Sequence, residues 1–285
     1  IALEKNTAIL ADLRQAIDND ELELYYQIQV DEIKGIQGAE VLLRWFHPIR
    51  GMVSPLDFIS LAEESGLIIP IGGWVLESAC QQLKVWESIP NREHWQISVN
   101  VSALQFQQED FVEVVKGIIS SKNINPCCLK LELTESMVLE NVDIIIDKMR
   151  QLNQLGIEFS LDDFGTGYSS LSCLKLLPLK QLKIDQSFVR DITTDPDDAA
   201  IIQTIINLAS GLNYDVIAEG VETDEQRQFL FNNGCSQYQG FLFSRPVPIT
   251  EFEELVSSNS FDFFSNPIIK GDKTVKMTNK RRTMN

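Results

Sequence analysis

Residues 23–45, with the sequence ELYYQIQVDEIKGIQGAEVLLRW, contain two strand-like runs separated by a very short link. The alternation of side chains predicts strands over Glu23–Gln29 and Ile36–Trp45. The link from Asp31 to Gly35 is too short for a crossover helix, so we expect the two strands to pair antiparallel. Any fold for this chain must therefore contain one antiparallel pair near its start.

The rest of the chain alternates short apolar runs with longer amphipathic stretches, which favours repeated βα units and a parallel sheet. Eight strands in roughly 240 residues fit a closed barrel better than an open sheet. An open doubly wound sheet is the alternative, but the sequence lacks the GxGxxG turn of a dinucleotide-binding half. We therefore predict an α/β fold, a modified TIM (β/α)8 barrel with one antiparallel strand.

Changes of hydrophobic period place the remaining elements. Further strands are expected over Gln96–Val101, Leu129–Thr134, Ile157–Asp162, Gln181–Asp185, Asp215–Glu219 and Tyr238–Phe241. Helices are expected over Gly73–Glu87, Ala103–Ser121, Ile144–Leu155, Ser169–Leu174, Asp198–Gly211 and Asp224–Asn233.

The two ends of the chain differ from its middle. An apolar stripe over Leu3–Ile17 predicts a helix, so residues 1–20 are expected to lead into a barrel that covers residues 21–258. Residues 259–285 are expected to form a flexible tail, because six basic residues and one acid follow from Lys270 onward and apolar residues are few. A basic arm for an anionic partner is the alternative interpretation of this tail.

Charge and histidine content narrow the possible functions. The chain has 24 Lys and Arg, 41 Asp and Glu and two His, a formal charge of −17. A protein this acidic repels the phosphate backbone, which argues against nonspecific DNA binding. A zinc site built on several histidines is also disfavoured. A bound metal would need oxygen ligands, which favour Mg²⁺, Mn²⁺ or Ca²⁺.

Cysteine content and hydropathy indicate a cellular compartment. Five cysteines without a CxxC motif predict buried free thiols in a reducing compartment. No apolar run reaches the ~18 residues that span a bilayer, and the first residues do not resemble a signal peptide. We expect a cytoplasmic fragment of a longer polypeptide, without a membrane segment of its own.

Polar residues recur where the predicted strands end, which is the face that carries the chemistry of such barrels. Several like charges at one mouth repel each other strongly unless cations neutralise them. Carboxylates with an Asn amide oxygen suit hard divalent cations, and six or more such groups suggest two ions. In chain order, these residues are Glu40, Asn100, Glu132 with Glu135, Asp162 with Asp163, Lys183 with Asp185, Glu219 with Glu222, and Gln239.

Each of these groups has a plainer interpretation when it is taken alone. All of the plainer interpretations would have to coincide at one rim of one barrel, which disfavours them jointly. They are an ion pair between Glu40 and Arg44, a turn at Asp162 and Asp163, a helix start at Glu132 and Glu135, a salt bridge between Lys183 and Asp185, and surface acids at Glu219 and Glu222.

These motifs resemble those of the EAL family of cyclic-di-GMP phosphodiesterases. The resemblance runs from about Glu21 to Val256 and implies a modified TIM barrel with a reversed strand, in agreement with the short first link. It rests on Gly38-Ala39-Glu40-Val41-Leu42-Leu43-Arg44-Trp45, Val99-Asn100-Val101-Ser102, Leu131-Glu132-Leu133-Thr134-Glu135-Ser136, the run from Asp162 to Ser170, Lys183-Ile184-Asp185, Ala218-Glu219-Gly220-Val221-Glu222 and Gln239-Gly240-Phe241.

The resemblance also implies a metal centre and roles for individual residues. Two Mg²⁺ or Mn²⁺ ions would share a bridging water, and Lys183 would lie near this attacking water, with Glu40 and Asp162 as the other catalytic groups. The matching metal ligands are Glu40, Asn100, Glu132, Asp162, Asp163 and Glu219. The matching substrate contacts are Gln27, Leu42, Arg44, Asp185, Glu222 and Gln239. The matching loop that couples dimer contacts to the metals includes Glu135, Phe164, Gly165, Thr166 and Gly167.

Two positions depart from the family pattern. The signature Glu-Ala-Leu reads Glu40-Val41-Leu42 here, and strand alternation points Val41 away from Glu40, toward the helices. We expect at most a repacking cost of ~1–3 kcal/mol and little effect on the metals. The family's Tyr-Gln-Pro-Ile reads Tyr-Gln-Ile-Gln, so Ile28 frees φ and restores a backbone N–H, which affects the placement of Gln27.

The leading functional hypothesis is metal-dependent hydrolysis of cyclic-di-GMP to linear pGpG in bacterial signalling. Two metals would lower the pKa of the bridging water, and a lowered Lys183 pKa would let this lysine accept or orient the water proton. The alternatives are a catalytically weak cyclic-di-GMP receptor and an unrelated TIM-barrel enzyme for a sugar phosphate. A homodimer and an upstream sensor or diguanylate-cyclase-like domain are the expected partners.

Overall fold

The two strands of the opening stretch form the antiparallel pair that their short link predicts. The computed structural model describes residues 2–138, 142–167 and 171–258. Strand β1 covers Leu22–Asp31 and strand β2 covers Gly35–His47. The pairing carries a register shift near the end of β1, which keeps the two strands aligned on the inner face of the sheet.

Eight strands close into a barrel with one reversed strand, so the predicted fold class is confirmed. Strand β1 is antiparallel to β2 on one side and to β9 on the other, and the remaining neighbours around the ring are parallel. Short strands β3 and β10 extend the sheet from β2 and β1. The strands after β2 are β3 Gly51–Val53, β4 Gln96–Asn100, β5 Leu129–Thr134, β6 Glu158–Phe164, β7 Gln181–Ile184, β8 Asp215–Ala218, β9 Gln237–Tyr238 and β10 Val247–Pro248.

Helices connect most of the strands, and α3, α10 and α12 contact them directly. Their apolar faces and the outward side chains of the strands form one hydrophobic core around the barrel. The helices are α1 Ala2–Leu13, α2 Pro55–Ser65, α3 Ile68–Glu87, α4 Ala103–Gln107, α5 Phe111–Lys122, α6 Glu135–Val138, α7 Val142–Asn153, α8 Leu171–Leu174, α9 Gln186–Arg190, α10 Pro196–Leu212, α11 Asp224–Asn232 and α12 Ile249–Ser257.

The helix predicted over Ala103–Ser121 is two helices, α4 and α5. The ammonium of Lys148, on α7, binds the end of α4. It donates to the carbonyl oxygens of Phe106, Gln107 and Gln108, at distances of 2.9, 3.2 and 2.7 Å. A lysine some 40 residues further along the chain therefore satisfies carbonyl groups that a continuous helix would use internally.

Several other boundaries differ from the prediction. Helices α2, α6, α9 and α12 and strands β3 and β10 were not expected, and β9 ends before the predicted strand Tyr238–Phe241 does. At Gly240 the backbone lies so close to Val221 that a Cβ would clash with the Val221 carbonyl oxygen. The helix predicted over Leu3–Ile17 ends at Leu13 and continues as tight turns.

Two predicted segments fall wholly or partly outside the described residues. The helix expected over Ser169–Leu174 is seen only from residue 171 onward, as α8. The expected tail, residues 259–285, lies outside the described ranges.

The inside of the barrel is polar, in contrast to the branched apolar layers of most TIM barrels. Alternate residues of the strands point inward, and Gln29, Ser98, Lys130, Ser160 and Gln181 are all buried there. Lys130 Nζ donates to Gln181 Oε1 at 3.1 Å, and other polar pairs link neighbouring strands. The apolar core therefore lies between the sheet and the helices, while the barrel interior is available for polar and charged groups.

Val41 lies in that outer apolar core, with 3% of its surface exposed. Its strand neighbour Glu40 lies on the opposite, inner face. We expect Val41→Ala to lower the free energy of unfolding by about 2 kcal/mol, because two buried methyl groups are removed. Denaturant unfolding measures this loss, and turnover measured in parallel should stay unchanged. A clear loss of turnover with intact stability would contradict the separation of the two faces.

The structure shows the state of the five cysteines and the length of the apolar helices. All five cysteines are free, and Cys80, Cys128 and Cys235 are buried as expected, whereas Cys127 is exposed and Cys173 is half-buried. Within the described ranges no single helix is long and apolar enough to cross a membrane, and α2 with α3 meets that criterion only as a pair bent by 118°.

Candidate functional site

The ammonium of Lys183 lies at the mouth of the barrel among four carboxylates. Lys183 comes from β7 and is 1% exposed. Its Nζ lies 2.6 Å from Glu219 Oε1, 3.2 Å from Asp162 Oδ1 and 3.4 Å from Glu40 Oε2, and it also contacts Glu132 Oε2. Strand ends that are far apart in sequence thus bring these five side chains together.

The charges of this cluster strongly shift its pKa values. Burial lowers the Lys183 pKa, but the four carboxylates outweigh burial and raise it well above its usual value. Burial raises the pKa of Glu132 to about 7, although Lys183 opposes this shift, and burial also raises the pKa of Glu219 well above its usual value. These directions belong to the cluster without cations, and the lowered Lys183 pKa expected beside bound metals stays a prediction.

The donor set suits hard divalent cations. When all four carboxylates are ionised, as metal ligation requires, they and the Lys183 ammonium carry a net formal charge of −3. The Oε1 atom of Glu132 is buried and has no hydrogen-bond partner in the described structure. No three Cys, His, Asp or Glu side chains of the described residues are already arranged to hold a metal ion, since Lys183 lies between the carboxylates. The residues fit a metal in chemistry and charge, and binding would require small shifts of their side chains.

Amide side chains hold Glu40 from both sides. Asn100 Nδ2 donates to Glu40 Oε1 at 2.6 Å, and Gln239 Nε2 donates to Glu40 Oε2 at 2.6 Å. Gln239 Nε2 also donates to Gln27 Oε1 at 3.0 Å. Asn100 was predicted to bind a metal through its amide oxygen. For that role its amide group would have to rotate, because its NH₂ group now faces Glu40. Both oxygens of Glu40 are thus fixed by neighbouring strands.

The loop after Asp162 is held by Glu135. Burial and the neighbouring Asp162 raise the pKa of Asp163, whose φ of +54° is unusual for a residue other than glycine. Glu135 Oε2 accepts hydrogen bonds from the backbone N–H groups of Gly165 and Gly167, at 3.2 and 3.3 Å. A Cβ at Gly167 would lie only 2.6 Å from Glu135 Oε1. A side chain at residue 167 would therefore displace the Glu135 carboxylate or the loop.

Four of the six predicted substrate residues line an open cavity of about 270 Å³ beside the carboxylates. They are Gln27, Leu42, Glu222 and Gln239. Five further lining residues were not predicted as site residues, namely Gln186, Gly220, Gly240, Phe241 and Pro246. Phe241 stood within a quoted motif, and its 46% exposure is high for a large apolar side chain. Exposed aromatic surface at a cavity is the signal that the linear sequence could not show.

The other two predicted substrate residues lie outside the cavity lining. The Arg44 guanidinium lies 5.4 Å from the centre of the Tyr25 ring and donates to the Leu43 carbonyl oxygen at 2.9 Å. An ion pair between Glu40 and Arg44 is not among the ion pairs of the described residues. Asp185 caps helix α9, where its Oδ1 accepts from the backbone N–H of Ser187 at 3.0 Å. Their roles toward a substrate stay predictions.

A family match covers most of this barrel. The sequence profile of the EAL domain family matches residues 10–246. The chain belongs to the EAL domain family. The matched range contains every strand except β10, together with the whole carboxylate cluster.

Curated relatives of this EAL domain are longer proteins. The bifunctional diguanylate cyclase/cyclic di-GMP phosphodiesterase MucR of Pseudomonas aeruginosa is 43% identical over 256 residues, which are 90% of this chain and 37% of MucR. The cyclic di-GMP phosphodiesterase PdeR of Escherichia coli is 41% identical over 242 residues, which are 85% of this chain and 36% of PdeR. The chain thus spans little more than a third of the length of these relatives.

Solved structures show the same fold. The structure described as PaMucR phosphodiesterase in complex with c-di-GMP is 44% identical, has a TM-score of 0.83, and matches 86% of this chain and 99% of that one. The FimX EAL domain of Pseudomonas aeruginosa bound to c-di-GMP is 23% identical, with a TM-score of 0.76, over 84% of this chain and 96% of that one. At this lower identity, the FimX likeness shows the fold alone.

Proposed function

We propose that this EAL domain hydrolyses one phosphodiester bond of cyclic-di-GMP to give linear pGpG, with two Mg²⁺ or Mn²⁺ ions. The observation that carries the proposal is the convergence of four carboxylates on Lys183 at the mouth of an EAL-family barrel. The name of PdeR, a cyclic di-GMP phosphodiesterase, supports the same substrate. The proposed metal ligands are Glu40, Asn100, Glu132, Asp162, Asp163 and Glu219.

The residues of the cluster would have different roles in the hydrolysis. Bound divalent ions supply a water of lowered pKa and charge for the phosphate oxygens. Lys183 is buried among the proposed ligands and would accept the proton of the attacking water or orient this water. Glu40 and Asp162, which flank Lys183, would fix its position.

Substrate binding would involve the cavity beside the cluster. Gln27 and Gln239 offer amide groups in its lining, and Leu42 offers apolar surface. Glu222 lines the same cavity. We propose that Arg44, at the rim, reaches a phosphate of the bound nucleotide through charge-assisted hydrogen bonds. Asp185 would act indirectly, through the start of α9.

Partners follow from the loop and from the relatives. We propose a homodimer that acts on the metals through Glu135 and residues 164–167, since this carboxylate already joins two elements of the mouth. An upstream sensor or diguanylate-cyclase-like domain is proposed because MucR, which carries a bifunctional name, is far longer than this chain.

The test is a product assay on the purified chain. Linear pGpG should appear from cyclic-di-GMP in Mn²⁺ or Mg²⁺ and should be absent in excess chelator. Re-addition of Mn²⁺ after chelation should restore the product, which separates metal removal from irreversible unfolding. Tight cyclic-di-GMP binding in chelator, without product at saturating metal, would overturn the proposal and indicate a receptor.

A further inference from the structure

Gln29 links the interior of the barrel to the carboxylate cluster. It lies on β1, two residues after Gln27, and is 3% exposed. Its Nε2 donates to Gln239 Oε1 at 2.9 Å, and its Oε1 accepts from Ser98 Oγ at 3.4 Å. Gln239 in turn donates to Glu40 Oε2 at 2.6 Å. A hydrogen-bonded chain therefore runs from Ser98 through two glutamines to Glu40.

The direction of this chain is fixed by its last member. An ionised carboxylate only accepts hydrogen bonds, so Gln239 must turn its NH₂ group toward Glu40. The Gln239 carbonyl then points away from Glu40 and needs a donor, which the NH₂ group of Gln29 provides. The Gln29 carbonyl in turn accepts from the Ser98 hydroxyl. Glu40 and Gln27 thus hold the NH₂ group of Gln239, and Gln29 holds its carbonyl oxygen.

We propose that Gln29 is a positioning residue for the metal site, which acts through Gln239 to hold the Glu40 carboxylate. This inference rests on the proposed function, in which Glu40 is a metal ligand. Groups that orient a ligand typically change metal affinity or activity by 10–100-fold when they are removed. Gln29 is absent from the cavity that the substrate would occupy, so its effect reaches the reaction only through Gln239.

A neutral variant of similar length removes both hydrogen bonds of Gln29 without adding a charge. Gln29→Met leaves the buried Gln239 Oε1 without its donor, so the Gln239 amide loses one of the contacts that hold it against Glu40. We expect the Kd for Mn²⁺ to rise by about tenfold, at the lower end of the range for such groups. Isothermal titration calorimetry with Mn²⁺ alone, without nucleotide, measures this Kd. Circular dichroism checks that the variant is folded.

Gln181→Met is the matched control. Gln181 is also a buried glutamine of the barrel interior, 2% exposed, and it bonds to Lys130 and Gln237 instead of Gln239. The Kd of this variant for Mn²⁺ should equal that of the unaltered chain. An equal weakening in both variants would overturn the proposal, because the effect would then come from any disturbance of the interior.

Gln29→Glu supplies a second measurement and covers a failure of Gln29→Met to fold. The introduced carboxylate, when ionised, offers no donor to Gln239 Oε1 and competes with Glu40 for the Gln239 NH₂ group. An added negative charge by itself strengthens cation binding, so weaker Mn²⁺ binding by this variant identifies the lost orientation. Unchanged Mn²⁺ binding by the folded variants overturns the positioning role. Absence of Mn²⁺ binding by the unaltered chain instead overturns the proposed metal-dependent function.

Discussion

Lys183→Met will lower kcat by about 10²–10⁴-fold, the range for loss of a positioned proton-transfer group. Lys183 is the shared ion-pair partner of four carboxylates and is 1% exposed. Methionine keeps the length of the side chain but supplies neither the charge nor the N–H donors that would orient a water. Steady-state product formation in saturating Mn²⁺ measures the loss.

The same substitution has an expected effect on stability in the absence of metal. Removal of one partner from a buried ion-pair cluster typically costs about 3–5 kcal/mol, because the remaining charges lose their compensation. Mn²⁺ should therefore stabilise Lys183→Met more than it stabilises the unaltered chain, since the carboxylates then depend wholly on the added cation. Thermal unfolding with and without Mn²⁺ measures both the loss of stability and the stabilisation by the cation.

Lys180→Met provides the matched control for these measurements. Lys180 lies three residues earlier, its side chain is 50% exposed, and it pairs with Asp215 at 3.0 Å. A surface pair of this kind contributes about 0–1 kcal/mol, so kcat and the response to Mn²⁺ should be unchanged. A Lys183→Met enzyme with the turnover of the Lys180→Met control would contradict the proposed role of Lys183.

The barrel and its carboxylate cluster were predictable from sequence because both depend on strand phase. The side-chain period of two places Glu40 inside and Val41 outside, and parallel strands bring their carboxyl ends to one rim. The short link at Asp31 fixed the antiparallel pair in the same local way. These features need only the order of residues along each strand.

Features that depend on distant partners were not predictable. The division of α4 from α5 is stabilised by Lys148, which is remote in sequence from the carbonyl groups it binds. The two-residue strand β10 is too short to show a period of its own. Gln29 is an intermediate case, since alternation with Gln27 places it inside the barrel, but its bond to Gln239 spans 210 residues. The alternation of residues along a strand predicts which face of the sheet a side chain lies on. Its hydrogen-bond partner is known only from the closed barrel.

Glu135→Gln will lower kcat by about 10–100-fold, as expected when a group that orients ligands is altered. Its Oε2 accepts from the N–H groups of Gly165 and Gly167, and its carboxylate is buried. Glutamine keeps the shape but removes the charge that strengthens both hydrogen bonds. The loop that carries Asp163 then loses its anchor. Steady-state kinetics in saturating Mn²⁺ measures the change.

Gly167→Ala tests the same contact from the other side. The new Cβ would lie 2.6 Å from Glu135 Oε1, so the carboxylate and the loop must move apart. If both substitutions break one interaction, the double variant should lose less than the product of the two single effects. Glu113→Gln, at an exposed glutamate that pairs with Lys116, should leave kcat unchanged. Fully multiplicative losses would show that Glu135 and Gly167 act separately, and the anchoring role of Glu135 would then be wrong.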